Sequence, residues 1–212
     1  MNQGRFRSRL SVEVRETKRP ESSALFAIAP RHRRSDGANL QRLNGHQNCL
    51  APMSFDDLLR EVGSFRELFV LGRKQGVDIE AEVERAMAVD SDLFTIVGFK
   101  VVKVRSGRVE LSFPYSRAVT RRGGMVHGGI VMYSLDNACG IAAMTVNPGT
   151  DQLTLELNVS FLRPLKKGPF RAIGKVVRAG NSVIVVEGEV RDAEEELCAK
   201  SLGSWFIVRQ RE

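Results

Sequence analysis

The feature that most constrains this fold is a long apolar stretch, residues 128–146, interrupted by one carboxylate, Asp136. Its residues are apolar or small on every side of a helix, and Asn147-Pro148-Gly149 ends it. The acid near its middle favours a buried helix over a membrane span. A helix that is apolar all round has to be enclosed by other elements, so the rest of the chain must supply its cover.

That cover is predicted to be a sheet, because the apolar period changes to 2 from Phe94 onward. Two strands are predicted before the helix, around a Ser106-Gly107 turn, and four after it. The predicted strands are residues 94–104, 108–113, 152–163, 168–178, 182–191 and 197–208. Residues 116–124 are predicted to be a loop. This order predicts an α+β fold, in which an antiparallel sheet wraps around one long central helix.

A helical extension is predicted before the sheet, over residues 54–88. Apolar residues recur there at helical spacing, Ser54 is suited to cap the first turn, and Gly72 and Gly76 indicate a break before residues 78–87. We therefore divide the chain into three parts: a tail (residues 1–52), the helical extension (residues 53–88) and the domain of sheet and long helix (residues 89–210).

The positive charge lies in the tail. Of the formal net charge of +7, residues 1–52 carry +6, which leaves +1 for the remainder. Because the rest of the chain is nearly neutral, we predict no nucleic-acid partner. No apolar run is long enough to span a bilayer, so we predict no membrane partner either. The composition of the tail indicates disorder. Three interpretations stay open: an untranslated extension before a true start at Met53, a flexible basic arm, or a targeting peptide.

The numbers and positions of the cysteines and histidines indicate the cellular compartment and bear on whether the protein binds a metal. The three cysteines, Cys49, Cys139 and Cys198, form no CxxC pair, which favours the reducing cytoplasm over a disulfide framework. Only one of the three histidines, His127, lies outside the tail. We therefore predict that the protein has no metal site.

Asp136 and the glycines at the start of its helix form the candidate site. A buried carboxylate is costly unless paired, so Asp136 is either a structural acid or a functional base whose pKa is raised by burial. At Gly128-Gly129, N–H groups of the first turn have no helical partner and can polarise a carbonyl; a plain glycine turn is the alternative. Gly128 and Asp136 stand about 12 Å apart along the helix. If both are catalytic, the site requires two subunits with antiparallel helices.

A combination of residues on and after this helix matches a known signature. It consists of His127-Gly128-Gly129, Asp136 and Gly140, and a strand from Thr154 to Pro164 that ends in Phe-Leu-Arg-Pro. Over roughly residues 84–209, the chain thus resembles the hotdog-fold thioesterases of the phenylacetate-degradation type. The resemblance implies a hotdog fold. It also implies homodimers that join their sheets edge to edge, and homotetramers in many members.

The resemblance also implies roles for single residues. Asp136 is the implied general base or nucleophile, and the Gly128 N–H of the other subunit polarises the thioester carbonyl. His127 is implied to shape the turn and Thr154 to place a hydroxyl near the acid; a packed histidine and an ordinary strand threonine are the alternatives. The substrate-binding residues that we predict are Gly129, Arg121, Asn158 and Arg163.

Arg121 departs from the family, whose members commonly carry an asparagine six residues before the histidine. An arginine there is able to contact a phosphate, a carboxylate or Asp136 itself, and a salt bridge to Asp136 would lower its pKa and weaken it as a base. Arg163, Lys166 and Lys167 are candidates to hold the phosphates of CoA, with a solvated basic turn as the alternative.

Two functions stay open. The first is hydrolysis of acyl-CoA thioesters without a cofactor, since the chain has no GxSxG motif and Cys139 has no second histidine nearby. The second is a non-catalytic acyl-CoA-binding or ligand-sensing protein, which the arginine at position 121 favours. A hydratase of the same fold is less favoured because His127 lies at the helix entry. We also expect Met132 and Tyr133 in the wall of the substrate pocket.

Overall fold

The computed structural model describes residue 58 and residues 61–209. The predicted tail and the predicted cap at Ser54 lie outside the described residues. The helices with described bounds are α1 (Phe65–Lys74), α2 (Ile79–Asp90), α3 (Asp92–Val97) and α4 (Gly128–Met144). The strands before α4 are β1 (Lys100–Arg105), β2 (Arg108–Phe113), β3 (Thr120–Arg121) and β4 (Met125–Val126). The strands after α4 are β5 (Asp151–Phe161), β6 (Phe170–Ala179), β7 (Val183–Arg191) and β8 (Leu197–Val208).

Six of the described strands form one antiparallel sheet in the order β1-β2-β6-β7-β8-β5. The long helix α4 packs mainly against β6, β7 and β2, with Leu135, Ala138 and Cys139 fully buried. Helix and sheet approach so closely that a Cβ added to Gly174 would lie 2.3 Å from the backbone oxygen of Ala138. The predicted hotdog architecture, a sheet wrapped around one long helix, is confirmed.

The strand predicted at residues 94–104 is wrong over its first part. Residues 92–97 form α3, and β1 begins only at Lys100. Phe94 and Val97 are both buried, and a spacing of three residues places them on one face of a helix, whereas it would place them on opposite faces of a strand. Gly98 then ends the helix in the left-handed conformation, with φ 80°. The predicted loop at residues 116–124 also contains β3, which pairs with β4 in a separate two-stranded hairpin.

The helical extension contains α1 and α2, which meet at a turn around Gly76. Gly72, predicted to be part of the break, lies inside α1 instead. Its role is steric, because a Cβ there would lie 2.8 Å from the side chain of Ile79 in α2. The sequence located the break within a few residues but could not tell a packing glycine from a turn glycine.

Backbone hydrogen bonds attach the extension to the loop that follows α4. The N–H groups of Phe65 and Arg66 donate to the carbonyl oxygens of Gly149 (3.0 Å) and Asn147 (2.9 Å). Phe65 itself is 1% exposed and belongs to the same hydrophobic core as the sheet. The extension therefore packs as part of the domain.

Aromatic rings continue this core from α3 into the sheet. Phe94, Phe99, Phe113 and Phe170 form a chain of contacts with centroids 5.1 Å apart at each step. Such tilted ring pairs stabilise a core beyond their buried area. None of the helices in the described part of the chain is long and apolar enough to cross a membrane.

Candidate active site

Asp136 lies in the middle of α4 and is only partly buried. The Thr154 hydroxyl, from β5, donates a hydrogen bond to the Oδ1 atom of Asp136 at 3.1 Å. Burial raises the pKa of Asp136 above its ordinary value, and the Thr154 hydrogen bond lowers it by a smaller amount. The result is a carboxylate that binds a proton more tightly than a solvated aspartate does, as a general base requires.

A cavity of about 320 Å³ opens beside this carboxylate. Its walls come from α1, α2, α4, β5 and β8. The residues that line it are Phe65, Met87, Asp90, Asp136, Asn137, Gly140, Ile141, Met144, Asp151, Gln152, Thr154 and Trp205.

The start of α4 offers hydrogen-bond donors, whereas the Asp136 carboxylate in its middle is an acceptor. His127 caps the helix, with its Nδ1 atom accepting from the Gly129 N–H at 3.0 Å. This bond requires Nδ1 to be unprotonated. The first helical residue is Gly128, and its N–H meets no acceptor in the part of the chain that the structure describes. Of the two glycines, Gly128 is therefore the one that can donate to a substrate.

Gly128 lines a second cavity, of about 330 Å³. The residues that line it are Arg121, Met125, Val126, Gly128, Val131, Phe161, Leu162, Arg163, Pro164 and Leu165. This cavity shares no lining residue with the cavity beside Asp136. Within one chain, the candidate base and the candidate carbonyl-binding N–H thus face separate spaces, as the helical rise between them predicts.

The predicted binding residues fall into two groups. Arg121 and Arg163 line the second cavity, together with Gly128. Arg121 hydrogen-bonds to the carbonyl oxygen of Arg122 and to the sulfur of Met125. Arg163 forms an ion pair with Glu196. Within one chain, Arg121 and Asp136 line different cavities, so Arg121 does not neutralise the Asp136 of its own subunit.

The remaining predicted binding residues lie differently. Asn158 is exposed, donates to Glu156 on the same strand at 2.5 Å, and lines neither of these two cavities. The Gly129 N–H is already engaged by His127. Lys167 pairs with Glu194 in the exposed turn, which agrees with the solvated basic turn considered as an alternative.

Met132 and Tyr133 do not line the cavity beside Asp136, contrary to the expectation from the sequence. Met132 points away from the core with 43% of its surface exposed. Tyr133 instead ties α4 to the chain entering α3, since its hydroxyl lies 3.0 Å from the Ser91 hydroxyl and its ring contacts Phe99. Sequence reasoning missed Phe65, Met87 and Trp205, whose spacing marks them only as core residues.

Cys139 is the other reactive side chain close to Asp136 on α4. It is fully buried, and burial raises the pKa of its thiol to about 12. A thiol with so high a pKa is a poor nucleophile. Asp136 is therefore the better candidate for the chemistry of this helix.

Comparison with known proteins identifies the family of the segment that contains the candidate site. The family model of the thioesterase superfamily matches residues 123–199, a segment that contains Gly128, Asp136 and Thr154. A protein of Saccharolobus solfataricus named "Putative esterase SSO2140" is 45% identical over 129 residues, which span 61% of this chain and 92% of that protein.

Two further proteins extend the comparison. A thioesterase family protein from Silicibacter pomeroyi has a crystal structure that superposes with a TM-score of 0.57 at 29% identity, covering 62% of this chain and 99% of that one. The 1,4-dihydroxy-2-naphthoyl-CoA hydrolase of Listeria monocytogenes is 25% identical over 116 residues, 54% of this chain and 94% of that enzyme. Fold and relatives agree: the chain belongs to the thioesterase superfamily and is a thioester hydrolase.

Proposed function

We propose that the protein hydrolyses acyl-CoA thioesters at a site assembled from two subunits. The observation that carries the proposal is the separation of two complementary half-sites. One cavity contains the partly buried carboxylate of Asp136. The other contains the Gly128 N–H, which has no acceptor among the described residues, and none of the described residues that line this cavity is Asp or Glu. Hydrolysis needs both groups within a few ångström of one carbon.

In the proposed reaction, Asp136 acts as general base. It takes a proton from a water molecule while the water oxygen attacks the thioester carbonyl carbon. The carbonyl oxygen becomes negatively charged and accepts a hydrogen bond from the Gly128 N–H of the second subunit. The C–S bond then breaks, and the leaving thiolate takes up the proton. A covalent route, in which Asp136 attacks the carbonyl itself, uses the same two groups.

The two edges of the sheet support a particular mode of pairing. At the β1 edge, two backbone N–H groups are already hydrogen-bonded to side chains of α2. The Val101 N–H donates to Glu84 at 2.9 Å, and the Val104 N–H donates to Glu80 at 2.8 Å. At the β5 edge, no other described strand is paired, and Leu153 and Leu155 are each 58% exposed. An open apolar edge strand is a template for pairing with another chain.

We therefore propose that two copies join along β5, which carries Thr154. A two-fold axis at this edge places two α4 helices antiparallel, so that the start of each helix meets the middle of the other. Each dimer then has two equivalent sites. The homotetramer implied by the family resemblance stays a prediction.

CoA is the proposed leaving group for two reasons. The Listeria relative carries a CoA thioester in its name. The second cavity also brings the guanidinium groups of Arg121 and Arg163 beside Gly128, and arginine is well suited to bind phosphate. In this proposal the Arg163 guanidinium group contacts both Glu196 and a phosphate of the substrate.

The test is an assay of free thiol release from short, medium, long and aromatic acyl-CoAs by the full chain, with Asp136→Asn beside it. We expect turnover to fall by about 10²–10⁴ in the variant, because the base is lost. Asp92→Asn is the matched control, since Asp92 is an exposed acid that lines neither of the two cavities. Its activity should equal that of the wild type.

Size-exclusion chromatography with light scattering has to show the same dimer for every variant. Full activity in Asp136→Asn would contradict the proposed base. Saturable acyl-CoA binding without turnover by the wild type would instead establish the ligand-sensing alternative.

A further inference from the structure

We infer that the cavity beside Asp136 receives an uncharged acyl group, and that Met87 of the helical extension limits the size of that group. The inference rests on the proposed function, since it assigns the part of the substrate on the acyl side of the thioester. It adds a specificity-determining residue outside the segment matched by the family model, which begins at residue 123.

The cavity follows α4 away from the proposed reaction centre. Asp136, Gly140 and Met144 lie four residues apart in turn and therefore share one face of the helix. From Asp136 to Met144 this face extends about 12 Å, which is long enough for an acyl group of several carbons. Ile141 and Trp205 contribute apolar side chains to a lining that is otherwise partly polar.

Helices α1 and α2 supply another wall of the same cavity, through Phe65 of α1 and through Met87 and Asp90 of α2. Phe65 is held by its hydrogen bond to Gly149 and by complete burial, so this wall is in place before any substrate binds. Met87 is only partly buried and packs against the core. An unbranched methionine side chain fills irregular space and adjusts to what it contacts, which suits a residue that limits the size of a ligand.

The charge of the cavity defines the class of acyl group. Its walls carry the carboxylates of Asp90, Asp136 and Asp151, and none of the described residues that line it is Lys, Arg or His. An acyl group with a terminal carboxylate would meet like charge without a compensating cation. A neutral aliphatic or aromatic acyl group avoids this penalty.

The first test compares kcat/KM for butanoyl-, hexanoyl-, octanoyl- and decanoyl-CoA in the wild type, Met87→Ala and Met87→Phe. We expect Met87→Ala to raise the ratio of longer to shorter substrates by about tenfold and Met87→Phe to lower it. Val89→Ala is the matched control, because Val89 lies on the same helix, is 57% exposed and does not line the cavity. Thermal unfolding has to show that every variant folds.

The second test compares hexanoyl-CoA with adipoyl-CoA, which has the same length and a terminal carboxylate. We expect the wild type to prefer hexanoyl-CoA by at least about tenfold and Asp90→Asn to narrow the preference. Unchanged length profiles in both Met87 variants, or equal use of hexanoyl- and adipoyl-CoA, would overturn the inference while the enzyme remains a thioesterase. A wild type that hydrolyses no thioester would overturn the proposed function itself.

Discussion

The middle of α4 and its first turn belong to one helix and have opposite chemistry. In the middle, backbone N–H groups are engaged within the helix, so that only a side chain, the Asp136 carboxylate, is available to a substrate. In the first turn, the N–H of Gly128 has no helical partner, and glycine leaves the approach to it open. One helix can therefore supply both a hydrogen-bond acceptor and a donor, but only to two different places.

A loss of activity approaching that of Asp136→Asn is expected from removing the donor at the start of the helix. Gly128→Pro deletes the N–H, yet proline suits the first helical position, and the extended conformation of His127 (φ −65°, ψ 135°) suits a residue before proline. We expect kcat to fall about 10²–10³-fold. Steady-state assays of thiol release measure the effect.

Gly128→Ala is the control for that variant, because alanine keeps the N–H. Among the residues that the structure describes, a Cβ at this position would meet the Phe161 ring alone, at 3.6 Å, which is an ordinary contact. The alanine variant should therefore retain most of the activity. Equal losses in both variants would show that shape matters at position 128 and the N–H does not.

Mixing inactive subunits tests whether the two regions act across an interface. In a mixed dimer of Gly128→Pro and Asp136→Asn, one of the two sites combines an intact Asp136 with an intact Gly128. After unfolding and refolding at equal concentrations, about one quarter of the wild-type activity should return. No recovery in a sample that forms mixed dimers would mean that each site is built within one chain.

A smaller effect is expected from Thr154, which tunes the acid in the middle of the helix. Thr154→Val removes the hydrogen bond that lowers the pKa of Asp136, so burial acts unopposed and the pKa rises further. Because the carboxylate form is the base, the acid limb of the pH profile of kcat/KM should move to higher pH. Thr154→Ser should return the acid limb to its wild-type position. If the limb does not move in Thr154→Val, Thr154 does not affect the ionisation of the catalytic acid.

The smallest effect concerns stability. The folded-state pKa of Asp136 is raised above its unfolded value, about 3.9, so the folded protein loses stability as pH rises from that value through the folded pKa. Asp136→Asn removes this cost. We expect the variant to have a higher Tm than the wild type at pH 7 and an equal one near pH 4. A Tm difference independent of pH would contradict this account.

Much of the fold was accessible from the sequence because its signals are local. The apolar stretch around Asp136 predicted α4, and alternation of apolar residues predicted the strands of the sheet. The error at residues 94–97 arose because Phe94 and Ile96 alternate as apolar residues do in a strand, whereas the residues that are buried are Phe94 and Val97, which are spaced as in a helix. The candidate pair, Gly128 and Asp136, was accessible because helix geometry converts sequence separation into distance.

What the sequence by itself determined is the chemistry available on each part of α4, since that depends on residue type and position within one helix. The tertiary structure decided what surrounds those groups. Phe65, Met87 and Trp205 are distant in the sequence and meet beside Asp136 only after the extension packs on the loop at residues 147–149. Apolar spacing shows that a residue is buried but not against what, because packing is a property of the whole chain. The pKa of Asp136 likewise depends on burial and on Thr154, which only the folded chain brings together.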